Sequence, residues 1–116
     1  MARAKLKFLH KPNCTTCRKA KAFLEKKAEL DMRDLGKDRL SIAELDQLIG
    51  KRDHRKFLNS RNELYRTRKM GENPPSRDEA LKLMAAEPNL IRRPVTLRGS
   101  EIVLGYDEDA LSQIAK

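Results

Sequence analysis

The chain has 116 residues, a formal charge of +9 and 39% hydrophobic residues, with a pI near 9.8. This is one domain's worth of sequence, and it can bury a continuous core, since a chain of this size hides roughly two-thirds of its unfolded surface on folding. No window approaches the ~20 apolar residues that span a bilayer, and Lys, His and Pro break the opening run MARAKLKFLHKP, which argues against secretion and membrane insertion. Two cysteines are too few for a secreted disulfide scaffold. Their spacing, Cys14-Thr15-Thr16-Cys17, is that of a cytosolic redox pair and points to the cytoplasm. The positive surplus suits an anionic partner or substrate without saying which, and a solvated basic surface with no partner is equally consistent with it.

In chain order, Ala4 to His10 alternates and then turns apolar, which reads as a strand, and Pro12-Asn13 breaks it. From Cys14 to about Lys27, Cys17, Ala20, Phe23 and Leu24 recur at helical spacing, with Arg18, Lys19, Lys21, Glu25 and Lys26 on the other side. This predicts an amphipathic helix that opens at the first cysteine. Ala28 to Leu35 alternates Leu30, Met32 and, less cleanly, Leu35 with charged residues, as suits a strand with one wet face. Ser41, with Glu44 three residues later, starts a helix that ends near Gly50. The stretch 51–69 supplies most of the basic surplus. Glu72 to Pro75 is a turn, Ser76 caps a further helix running to about Ala86, and Pro88 ends it. Pro94 to Leu97 and Glu101 to Tyr106 form a hairpin about Arg98-Gly99-Ser100, and a short helix from Asp107 to Lys116 closes the chain. The order predicts a split α/β layer with a helical insert.

Cys14 falls where a helix follows a strand, and there unpaired amides and the positive helix end favour a thiolate. Arg18 and Lys11 push the same way. Cys17, one turn in, should be less exposed and act as the resolving thiol. The other reading of Cys-x-x-Cys is half of a zinc site, which needs two more soft ligands. Only His10 and His54 are available, at no familiar spacing, so no metal is expected. His10, four residues before Cys14, either stabilises the thiolate or donates to a bound oxyanion, or is a satisfied structural histidine. His54 reads as solvated surface. Pro94 suits the first residue of a strand, where a missing amide does no harm.

Four segments carry a resemblance. His10-Lys-Pro-Asn-Cys14-Thr-Thr-Cys17-Arg18 and its helical continuation, Leu58-Asn-Ser-Arg61-Asn-Glu-Leu-Tyr65, Asn89-Leu-Ile-Arg-Arg93-Pro94-Val, and Val103-Leu-Gly105-Tyr106-Asp-Glu-Asp resemble, in order, the arsenate reductase/Spx-like family. The resemblance covers essentially the whole chain. It implies an α/β, thioredoxin-like mixed four-stranded sheet at about 1–40 and 88–116, a helical insert at about 41–87, and a cis Pro94 facing the active-site cysteine. The arsenate reductases of the family that use glutathione and glutaredoxin carry His-x3-Cys-x3-Arg, which His10, Cys14 and Arg18 match. They also use three arginines for the oxyanion, and Arg61 and Arg93 match two of these. The third falls near Gly105, and Cys17 stands where those enzymes have a serine. The Cys-x-x-Cys, the Arg-Arg-Pro and the Gly-Tyr-Asp-Glu-Asp ending look instead like Spx-type regulators, which bind the C-terminal domain of the RNA polymerase α subunit and switch by a disulfide. Those regulators usually lack a histidine at the His10 position.

Two functions follow as expectations. In the first, the Cys14 thiolate attacks an oxyanion such as arsenate while His10, Arg18, Arg61 and Arg93 offset its charge. Cys17 then forms a disulfide with Cys14, which glutathione/glutaredoxin or thioredoxin reopens, and no bound cofactor is needed. In the second, the chain is a redox-switched partner of the RNA polymerase α subunit. Direct nucleic acid binding by the 51–69 stretch is disfavoured, because only Phe57 and Tyr65 offer stacking nearby and no helix-turn-helix signature stands out.

Overall fold

The structure is a computed structural model and describes residues 3–116. Strand β1 (Lys5–His10) leads into helix α1 (Thr15–Glu25), and strand β2 (Glu29–Asp34) follows. Helices α2 (Ile42–Ile49), α3 (Glu63–Thr67) and α4 (Arg77–Ala86) come next, with 3₁₀ turns at His54–Phe57 and Pro88–Leu90. Strands β3 (Val95–Arg98) and β4 (Glu101–Leu104) and helix α5 (Glu108–Ile114) complete the chain. Two compact units result. One runs up to Asp38 and resumes at Arg93–Lys116, and the other is Arg39–Arg92.

The first unit holds a mixed four-stranded sheet in the order β2-β1-β3-β4. Strand β1 pairs parallel with β2 and antiparallel with β3, and β3 pairs antiparallel with β4. A parallel pair needs a crossover connection, which α1 supplies between β1 and β2. The central place of β1 follows from its composition: Leu6, Phe8, Leu9 and His10 are all buried. Leu6 and Phe8 join Ala20, Leu24 and Ala28 and the α5 residues Leu111 and Ile114 in one buried cluster. Each Leu, Ile or Phe side chain of this cluster contributes about 1.5–3 kcal/mol relative to exposure. The alternation read in β2 is only half used, because β2 lies at the sheet edge: Leu30 packs against the cluster, whereas Met32 is 38% exposed. At the other edge, β3 and β4 are joined by Gly99-Ser100, and Gly99 takes the left-handed φ of 59° that the tight turn requires.

The second unit is built by its caps. The hydroxyl of Ser41 accepts the Glu44 amide at 3.1 Å, and Glu44 returns a carboxylate oxygen to the Ser41 amide at 3.0 Å. Gly50 closes α2 at φ 54°. Ser76 caps α4 in the same way, through the Glu79 amide. Helices α2 and α4 pack together, and Arg77 crosses from α4 to Asp46 of α2 at 2.8 Å. The segment after the first 3₁₀ turn is tied to the segment after the second: the Asn59 amide donates to the Leu90 carbonyl at 2.7 Å and the Arg92 amide to the Phe57 carbonyl at 2.8 Å. Pro88, expected as the stop of the preceding helix, also opens the 3₁₀ turn that follows it.

Leu24→Ala empties part of the first unit's cluster and is expected to cost about 2–5 kcal/mol. Ser41→Ala removes one cap of the second unit and costs about 1 kcal/mol. Urea unfolding checks both, as a lower midpoint at unchanged slope.

Candidate active site

Strand β1 ends at His10, and the chain turns through Lys11, Pro12 and Asn13 into α1. The turn is closed by the Cys14 amide, which donates to the Lys11 carbonyl at 3.1 Å. Cys14 is the N-cap of α1, with extended backbone angles of −91° and 119°. Its sulfur fills the position where a serine or aspartate oxygen usually sits, accepting the Cys17 amide at 3.4 Å. The Cys14 carbonyl accepts the Arg18 amide, so the helical bonding starts at the cysteine itself. Cys14 is half-buried and Cys17 is buried at 1% exposure, both as free thiols.

These surroundings pull the two thiols apart. Burial pushes the Cys14 thiol up, but hydrogen bonds from the Cys17 thiol and amide, together with the Arg93 guanidinium, outweigh it, and the net shift is below the ordinary value. Burial pushes Cys17 up to about 12. Its hydrogen bond with Cys14 and the charge at Cys14 add to this, against the Lys11 amide and Arg93. One thiol therefore ionises more readily than an ordinary cysteine, and its neighbour is held protonated.

The cation that acts most on Cys14 is Arg93, remote in sequence, whereas chain proximity had suggested Arg18 and Lys11. Arg93 precedes Pro94 through a cis peptide bond. Pro94 is buried, and its carbonyl accepts the Gly105 amide at 2.8 Å, which joins the start of β3 to the turn after β4. Arg18 is exposed on α1. Arg61 is exposed in the second unit, where its amide donates to the Asn59 side chain at 3.1 Å.

His10 is buried at 8% exposure, with its ring 5.5 Å from that of Phe8. Burial pushes its imidazole below the ordinary value, the Asp34 carboxylate opposes this, and the Lys21 ammonium adds to the lowering. His54, read as solvated, is half-buried in the second unit, with Nε2 2.9 Å from the Pro75 carbonyl. Among the described residues no group of three or more His, Cys, Asp and Glu side chains is arranged to hold a metal ion, and no helix is long and apolar enough to cross a membrane.

A mixed sheet with a Cys-x-x-Cys pair opening the helix after its first strand, and a cis-proline immediately before a neighbouring strand, is the thioredoxin-like arrangement. Within it, residues 9–114 match the model of the ArsC family, and the chain belongs to that family. It is 35% identical over 113 residues to the uncharacterized protein YusI of Bacillus subtilis, covering 93% of this chain and 96% of that protein. It is 30% identical over 103 residues to the global transcriptional regulator Spx 2 of Lactococcus lactis, covering 86% and 78%. The fold is shared with an arsenate reductase from Vibrio cholerae at a TM-score of 0.83 and 24% identity, over 98% of this chain and 99% of that one.

Because Arg93 stabilises the thiolate, Arg93→Gln is expected to move the pH profile of Cys14 alkylation by iodoacetamide to higher pH. In both proteins Cys17 should remain unmodified at neutral pH, as peptide mass spectrometry would report.

Proposed function

We propose that the protein reduces a tetrahedral oxyanion, with arsenate as the substrate to test first. The observation that carries this reading is the pairing of an ionisable Cys14 sulfur at the α1 N-terminus with the Arg93 guanidinium beside it. A guanidinium fork and helix-end amides suit the oxygens of such an anion. The Cys14 thiolate attacks arsenic(V), and a protonated oxygen leaves as water, giving a Cys14 thioester of arsenate. The Cys17 thiol then loses its proton and attacks the Cys14 sulfur. The sulfur–sulfur bond forms as the sulfur–arsenic bond breaks, and the electron pair of that bond stays on arsenic, which departs as arsenite. Two thiols have been oxidised and arsenic(V) reduced to arsenic(III). A dithiol donor such as thioredoxin, or glutathione with glutaredoxin, reopens the disulfide.

The high value for Cys17 fits this order of events. A resolving thiol held protonated cannot compete for the oxyanion, and it becomes reactive only when a proton acceptor arrives with the adduct. Arg18, exposed one turn into α1, is available to an incoming anion.

A second reading is favoured by the Spx relatives: the same disulfide would switch a surface that binds the C-terminal domain of the RNA polymerase α subunit. Capture of that domain by one redox form and not by the other would support it.

Arsenate-dependent NADPH consumption, coupled separately through glutathione/glutaredoxin and through thioredoxin, tests the reductase. Turnover is expected with one donor, abolished in Cys14→Ser and lowered about 10²–10³-fold in Arg93→Gln. Full turnover in Cys14→Ser would refute the mechanism.

A further inference from the structure

The parallel register of β1 and β2 places Asp34 directly beside His10. In-register neighbours on parallel strands present their side chains on the same face, so the carboxylate and the imidazole share one side of the sheet. The backbone locks that register at this point, because the Leu35 amide donates to the His10 carbonyl at 2.9 Å. The carboxylate itself is fixed: Asp34 Oδ1 accepts the Gly36 amide at 2.8 Å. Gly36 permits this close approach, since a Cβ there would lie 3.2 Å from Asp34 Oδ1 and 3.4 Å from Lys11 Cε. The imidazole is buried, with its ring 5.5 Å from the Phe8 ring and tilted to it by 34°.

We propose that Asp34 is a positioning residue for His10, its carboxylate offsetting part of the cost of charging the imidazole at the start of the Cys14 loop. The inference deepens the oxyanion reading above and rests on it for its functional consequence. The peptide that follows His10 already touches the thiol pair, since the Lys11 amide donates to the Cys17 sulfur. Burial disfavours the cationic imidazole, and the Asp34 carboxylate opposes burial without overcoming it. A charged His10 at the start of the Cys14 loop is therefore a low-pH state that a bound oxyanion would favour. The charged groups that act on His10 are Asp34 from β2 and Lys21 from α1, of opposite sign. From β3 the residue paired with Phe8 is Thr96, which carries no charge.

Asp34→Asn is the informative variant, because the amide oxygen can still accept the Gly36 amide while the charge is lost. The chain has only two histidines, so imidazole NMR follows His10 directly, with His54 as an internal reference in the other unit. The His10 midpoint is expected to fall by about 0.5–1 pH unit in Asp34→Asn, while that of His54 stays in place. Lys21→Gln should move His10 in the opposite direction and serves as the second variant. An unchanged or raised His10 midpoint in Asp34→Asn would overturn the proposal.

Arsenate protection of Cys14 against iodoacetamide gives the functional readout. In the unmodified protein protection should weaken as pH rises through the His10 midpoint, and in Asp34→Asn this loss should occur at lower pH by the same interval. If the NMR midpoint moves and the protection profile does not, Asp34 is not coupled to the thiol site and the proposal fails. If the midpoint moves but arsenate protects neither protein, the oxyanion reading fails while the placement of His10 by Asp34 stands.

Discussion

The first turn of α1 is closed by a sulfur atom, and the site depends on that contact. An N-cap must accept an amide that the helix leaves unpaired, and here the acceptor is Cys14 Sγ, which takes the Cys17 amide. Neutral thiols are weak acceptors and thiolates are strong ones. Helix formation and thiolate formation therefore favour each other. The helix is held in place by Ala20 and Leu24 in the buried cluster with Leu6 and Phe8, so the core of the first unit fixes the cap, and the cap fixes the nucleophile.

The same geometry separates the roles of two identical residue types three positions apart. Cys14 stands at the edge of the helix, open on one side and facing Arg93. Cys17 lies on the buried stripe with Ala20 and Leu24, where the charged form is costly. Burial raises both thiols, and only Cys14 receives enough hydrogen bonds and positive charge to reverse the effect. The division of labour thus comes from helical periodicity as much as from any special residue.

Much of this was legible in the sequence because the signals are local. Ser41 with Glu44, Ser76 with Glu79, Gly50 and Gly99 each act within a few residues, and the structure has them in their expected places. The helix read as running to Lys27 ends at Glu25, since Lys26 and Lys27 lie beyond the last buried position of its stripe. Helix α3 and the 3₁₀ turns left no periodic trace: α3 has five residues and buries none of them. The α1 cap and the mixed four-stranded sheet were anticipated, the latter through the family resemblance. What could not be read was long-range. Arg93 was assigned to the oxyanion by its motif, but its action on the Cys14 thiol depends on β3 lying beside β1. Asp34 was not singled out at all, because its relation to His10 exists only through the β1–β2 register. In sequence it is one more charged residue of an edge strand.

The most direct test is to mix the reduced protein with one equivalent of arsenate, without any external reductant, and to determine both the protein mass and the arsenic oxidation state. The account predicts a single Cys14–Cys17 disulfide formed in step with one equivalent of arsenite. Arsenate recovered intact beside two reduced thiols would contradict it.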